Sequence, residues 1–141
     1  MQSQKVVAVL DTNILISAWI SGSSIPGIIF KRFQSGDFEL ITSNTQLNEI
    51  SEVIQRPRLK KYLKKKEALI GINHLKSGRS AKIHTPKKHI WSFPDIKDHF
   101  LLDLISEEEV NFLVTGDKLL LSLISLGDTH IIPPADFLQV I

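Results

Sequence analysis

Short, uninterrupted apolar runs alternate along this chain with stretches of helical periodicity, and that alternation restricts the fold more than any other feature. Val6 to Leu10 is apolar throughout, with no polar residue in alternate positions. A strand of that kind is covered on both faces, which makes it central and parallel. Phe38 to Ile41, Lys82 to His84, Asn111 to Thr115 and His130 to Ile132 read as further strands. Helical stretches separate them at Ile14–Ile20, Ser24–Phe33, Ser43–Pro57, 58–65, 66–77, Phe100–Ile105, Lys118–Leu126 and Pro134–Ile141. The expected fold is α/β: three layers, α/β/α, around a mainly parallel sheet of about five short strands. With 141 residues, positions 1–141 suffice for one domain and one core.

Composition removes several classes of function. The chain has no cysteine, which excludes a disulfide scaffold, a thiolate zinc site and a cysteine nucleophile. Its apolar runs fall far short of the ~20 residues that a membrane helix needs, and no secretory h-region is visible. A soluble, cytoplasmic protein with no membrane attachment is expected.

The net charge of +2 conceals a split. Between Val53 and Pro94 there are twelve Lys and Arg residues and one acid, Glu67, whereas the remainder holds five bases and fourteen acids. A one-sided basic block points to a polyanion, with nucleic acid first among the candidates. Arg56, Arg58, Lys60, Lys61 and Lys64 are the expected contacts. A solvated, mildly self-repelling lysine helix is the plain alternative.

In a parallel sheet, ligands bind beyond the carboxyl ends of the strands. Asp11 stands there, directly after the first strand, and Asp117 stands three residues after Val114. Glu49 lies about one and a half turns into the helix after the second strand, and Asp98 at the start of the helix before the fourth. Asp95 and Asp103 are nearby reserves. Each acid alone could be a helix cap or a solvated side chain. Gathered at one sheet end they would repel, and a hard dication such as Mg²⁺ or Mn²⁺ resolves that conflict. Such an ion can activate water against a phosphodiester, so the acids and the basic block together specify a metal-dependent nuclease.

The same residues carry a family likeness. Val9-Leu-Asp-Thr-Asn13, continuing to Ala18, resembles the opening strand and turn of PIN-domain ribonucleases. Leu40 to Pro57, with Leu47-Asn-Glu-Ile50, is similar to that family's second block; Asp95 to Asp103 and Phe112 to Lys118 are similar to its third and fourth. The spacing, with Ile132 to Leu138 at the close, resembles the branch of toxins from bacterial toxin–antitoxin pairs. The resemblance spans nearly the whole chain. It implies Mg²⁺- or Mn²⁺-dependent cleavage of RNA and a cognate antitoxin that covers the active groove. It assigns catalysis to Asp11, Glu49, Asp98 and Asp117, metal binding to Asp11, Asp98 and Asp117, and support to Asn13 and Thr115. The third block departs from the family's Asp-Pro-x-Asp-Asp, with Ile96 for Pro and His99 for the last Asp. The fourth carries Leu119 where a second Asp is usual. Asp95, Asp98 and Asp103 all stay open as the third acid.

Two other functions are weighed. An RNA-binding module with structural acids would bind in a salt-sensitive way without metal-dependent turnover. A phosphoryl-handling α/β protein also places Asp after its first strand, but no second Asp follows Asp11 at the required spacing and no glycine-rich phosphate loop is present. The exposed face of Ile14–Ile20 and Ser24–Phe33, with Trp19, is the expected antitoxin and homodimer surface, ordinary core being the alternative.

Overall fold

The computed structural model describes residues 5–77, 80–86 and 99–141. The elements follow in the order β1 (Val7–Leu10), α1 (Thr12–Ile20), α2 (Ile25–Gln34), β2 (Glu39–Thr42), α3 (Asn44–Val53), α4 (Pro57–Lys60), α5 (Lys65–Ser77), β3 (Ala81–Ile83), α6 (His99–Glu107), β4 (Phe112–Val114), α7 (Lys118–Ser122), β5 (Ser125–Leu126), β6 (Thr129–Ile132) and α8 (Pro134–Val140). The strands form one six-stranded sheet in the order β3-β2-β1-β4-β6-β5, parallel except for β5.

Strand pleating explains the three layers. Ala8, Leu10, Leu40 and Val114 face a core built with α1, α2, α3, α5 and α8. Their neighbours Val9, Ile41 and Leu113 point the other way, into a second core with α6 and Leu120 of α7. Ala8 and Val9 are fully buried, as expected for a strand covered on both faces.

Local chemistry sets the helix starts. Ser24 Oγ accepts the Gly27 N–H at 3.2 Å with Pro26 in the first turn, and Ser43 Oγ accepts the Gln46 N–H at 3.1 Å. Among the described residues no single helix is long and apolar enough to cross a membrane; α1 and α2 are apolar together but meet at 95°.

Three expectations need correction. The helix expected from Lys118 to Leu126 ends at Ser122, because Ile124 turns the chain at φ 65° and a hairpin follows. Gly127, at φ 59°, takes the first central position of a two-residue loop between β5 and β6, the place a primed turn reserves for glycine. That hairpin supplies the sixth strand. The helix expected over 58–65 shrinks to the single turn of α4. Trp19 belongs to the core, 7% exposed, edge-on to Phe30 at 5.7 Å. Gly71 of α5 lies so close that a Cβ there would stand 2.3 Å from the indole. The large apolar side chains that α1 and α2 do expose are Ile20, Ile25 and Ile28.

Candidate active site

The sheet order contains a reversal. From β1 the chain winds outward through β2 to β3, then returns to lay β4 against the other side of β1. The crevice of a doubly wound sheet opens at such a point, beyond the carboxyl ends of the two strands. Leu10 pairs with Val114 at the end of this ladder, so the residues that follow, Asp11 and Thr115, stand side by side. The Asp11 N–H donates to the Val114 carbonyl at 2.9 Å, which fixes the exit of β1 against that of β4.

Asp11 and Asp117 are joined through Thr115. The fully buried Thr115 hydroxyl donates to Asp11 Oδ2 at 2.8 Å and accepts the Asp117 N–H at 3.0 Å. Asp117 caps α7, its Oδ1 accepting from the Leu119 and Leu120 N–H groups at 2.8 and 3.2 Å. Asp11 occupies the N-cap position of α1 but closes no side-chain cap. It is 8% exposed. Burial pushes its carboxyl above the usual range, and the charge of Asp117 adds to that; the Thr115 hydroxyl and the Asn13 and Thr12 backbone oppose it.

Asparagine and alanine at position 117 therefore separate capping from charge. Asp117→Asn keeps a good cap and is expected to melt within a degree or two of the parent, whereas Asp117→Ala loses about 1 kcal/mol. Thermal melts of both variants check this, and equal losses would show that the cap contributes nothing.

The second block reaches the same mouth through a residue whose role its sequence conceals. Gln46, fully buried, donates from Nε2 to the Leu10 carbonyl at 2.6 Å, while Oε1 accepts the Thr42 hydroxyl at 2.6 Å. The first turn of α3 is thereby pinned to the ends of β1 and β2. Glu49, half-buried, follows three residues later on the same helix face. A buried glutamine resembles any polar helix residue when read as sequence, so this one gave no signal beyond its place after the second strand.

The remaining expected residues fall in several places. Asn13 is exposed in the first turn of α1. Asp103 is 5% exposed on α6, among Leu101, Leu102, Leu104 and Ile105. Asp95 and Asp98 lie outside the described residues. Among the described residues no group of three His, Asp or Glu side chains is placed to hold a metal. What is present is two carboxylates, at the N-cap positions of the helices that follow β1 and β4, one of them poorly solvated. That donor set suits a hard dication, which would remove the mutual repulsion.

Arg56, Arg58, Lys60, Lys61 and Lys64 are all exposed, and among the described residues none forms a salt bridge. They line two different clefts. Arg56 and Arg58 line a cavity of about 310 Å³ whose opposite wall is Asn13 and Ser17 of α1. Lys60, Lys61 and Lys64 border a different cleft, against α5.

A doubly wound α/β domain with paired acids at its reversal point defines a class of site, and comparison with known proteins narrows it. The PIN domain family model matches residues 7–119, and the chain belongs to that family, whose members are generally nucleases. It is also similar to an uncharacterized protein of Methanocaldococcus jannaschii, with 32% identity over 123 residues, covering 87% of this chain and 78% of that protein.

Proposed function

We propose that this protein is a divalent-metal-dependent endoribonuclease and the toxin component of a toxin–antitoxin pair. The observation that carries the reading is the Asp11–Thr115–Asp117 chain of hydrogen bonds at the sheet's reversal point. Asp11 and Asp117, with Asp98 as the third acid, would hold Mg²⁺ or Mn²⁺; Asp95 and Asp103 are the other candidates for that third place. Bound there, the ion supplies Lewis-acid polarisation of a phosphodiester and a water of lowered pKa. Glu49, on the helix face of Gln46, would be the carboxylate that takes the proton from the attacking water. Thr115 fixes the Asp11 carboxyl and the backbone of Asp117, whose own carboxyl is held by its cap on α7, and Asn13 would offer an amide to the substrate beside Asp11. Arg56, Arg58, Lys60, Lys61 and Lys64 draw the RNA backbone toward the mouth. An antitoxin segment would cover the same mouth, and the exposed Ile20, Ile25 and Ile28 give α1 and α2 an apolar face for that partner or for a second copy. A monomeric mass by light scattering at micromolar concentration would remove the homodimer.

The test is direct. Protein stripped with EDTA is mixed with single-stranded RNA, and Mg²⁺ or Mn²⁺ is restored. Cleavage is expected only with metal. At a hundredfold excess over Kd the metal should also stabilise the fold by about 2.7 kcal/mol. No cleavage and no shift in melting with either ion would overturn the reading. Salt-sensitive RNA binding without turnover would then favour a binding module whose acids are structural.

A further inference from the structure

The short helix α4 separates the basic residues into two unlike settings, and the lysine side has features that a reaction centre does not need. We infer that the cleft beside α4 is a second RNA site, apart from the acids, which holds an unpaired base of single-stranded RNA against the ring of Tyr62. The identity of the ligand rests on the nuclease reading; the geometry of the cleft does not.

Tyr62 is 68% exposed, the one Phe, Tyr or Trp ring that stands exposed among the described residues. It borders a cavity of about 890 Å³ together with Lys60, Lys61, Lys64, Lys65 and Lys76, and among the described residues no carboxylate lines that space. Five lysines and one exposed aromatic ring lining the same cleft make the combination by which sequence-tolerant single-strand sites work: the ring stacks a base and the cations follow the backbone. The platform is built on fixed parts. The Tyr62 N–H donates to the Leu59 carbonyl at 3.0 Å, and its neighbour Leu63 is 7% exposed in the main core. Ala68 and Ile72 close the floor at 1% and 8% exposure.

The placement relative to the acids is also suitable. The Arg56–Arg58 cavity has Asn13 in its wall, two residues from Asp11. Arg58 and Lys60 both belong to the single turn of α4, so the arginine cleft and the lysine cleft are neighbours on the surface. An acidic amphipathic peptide is the rival occupant. A helix seated in a groove brings apolar anchors at i, i+3, i+4 and i+7 spacing and needs a continuous hydrophobic groove to receive them. Among the described residues this cleft exposes two large apolar side chains, Tyr62 and Leu69, among five lysines, which does not suit that mode.

Binding is measured by fluorescence anisotropy on the full Asp11→Asn protein in EDTA, so that no cleavage intervenes, with a labelled oligouridylate of roughly twelve nucleotides. Adding Tyr62→Ala is expected to weaken binding about five- to a hundredfold, while Tyr62→Phe stays within about twofold of its parent. Lys60→Ala with Lys61→Ala should lower the slope of log Kd against log salt by about 1.4. Tyr62 is exposed, so its loss does not threaten the fold. Binding unchanged in Tyr62→Ala, or lost equally in Tyr62→Phe, overturns the stacking site. Unchanged RNA binding with lost affinity for a Glu- and Leu-rich peptide overturns it in favour of a protein partner. If wild-type protein fails to cleave with metal but the ring dependence holds, the nuclease reading falls and this site stands.

Discussion

Asp11→Asn is expected to reduce metal-dependent RNA cleavage about a hundred- to a thousandfold and, in metal-free buffer, to raise the melting temperature. The two effects share one cause. The Asp11 carboxylate is buried and faces Asp117, so its charge is costly in the folded protein until a cation arrives. An amide keeps an oxygen for the Thr115 hydroxyl, which donates at 2.8 Å, and so removes the charge without orphaning its partner. The pH dependence follows from linkage. The folded carboxyl binds its proton more tightly than the unfolded one, whose value is 3.8. That contribution to stability is complete below the unfolded value and is lost as pH rises through the folded one. The gap in melting temperature between variant and wild type should therefore be small in acid and widen toward neutrality. Metal reverses the sign: wild type gains stability and the variant gains little. Cleavage assays with melts from acid to neutral pH, with and without Mn²⁺, read all of this. Undiminished cleavage by the variant would remove Asp11 from the reaction. A gap that does not change with pH would show that the charge is tolerated.

The sheet was legible in the sequence for a physical reason. A strand covered on both faces has no polar alternation, and Val6 to Leu10 could be nothing else of that length. Parallel order put Asp11 and Asp117 at the same end of the sheet, but their meeting at one mouth also needed the first and fourth strands to be neighbours, and the ladder that sets Leu10 beside Val114 supplies that. The failures arose where short-range signals compete. Leu119 to Leu126 is apolar enough for a helix, yet a left-handed residue at Ile124 and the Gly127-Asp128 loop make a hairpin of it. The Gly-Asp pair was the available sign, outweighed by the leucines. Trp19 shares α1 with exposed residues, and nothing in its local pattern reveals that Gly71, fifty-two positions later, leaves room for its indole.

The basic block shows the limit of counting charges. Arg56, Arg58, Lys60, Lys61 and Lys64 are near neighbours in sequence, but the turn of α4 faces the arginines toward α1 and the lysines toward α5. A one-dimensional run of charge thus becomes two surfaces with different reach. Of the two, the first has Asn13 in its wall, two residues from Asp11. Salt dependence alone would not separate them, because each cation releases counterions alike wherever it lies. Substitutions on either side of α4 would.

Gln46→Leu is the substitution expected to damage the fold most while leaving every acid in place. It removes the donor to the Leu10 carbonyl and the acceptor for the Thr42 hydroxyl, both at 2.6 Å and both buried. Each orphaned group costs about 1–3 kcal/mol, partly offset by the apolar surface of leucine, for a net loss of about 2–4 kcal/mol. In a domain of this size that lowers the melting temperature by roughly 8–15 °C. Gln46→Glu separates the missing donor from the missing shape. Its ionised carboxylate accepts from Thr42 but presents charge to the Leu10 carbonyl, whereas the protonated acid has an O–H to donate. Its folded pKa is thus raised above the ordinary ~4.3, and its stability, present below that value, is lost as pH rises. Melts should show Gln46→Glu near wild type in acid and far below it at neutral pH, with Gln46→Leu low throughout. Because α3 carries Glu49, both variants should also cleave more slowly at temperatures well below their melting points. A Gln46→Leu protein that melts with the wild type would mean that β1 and α3 hold their places without this side chain, and that the mouth is set by the sheet alone.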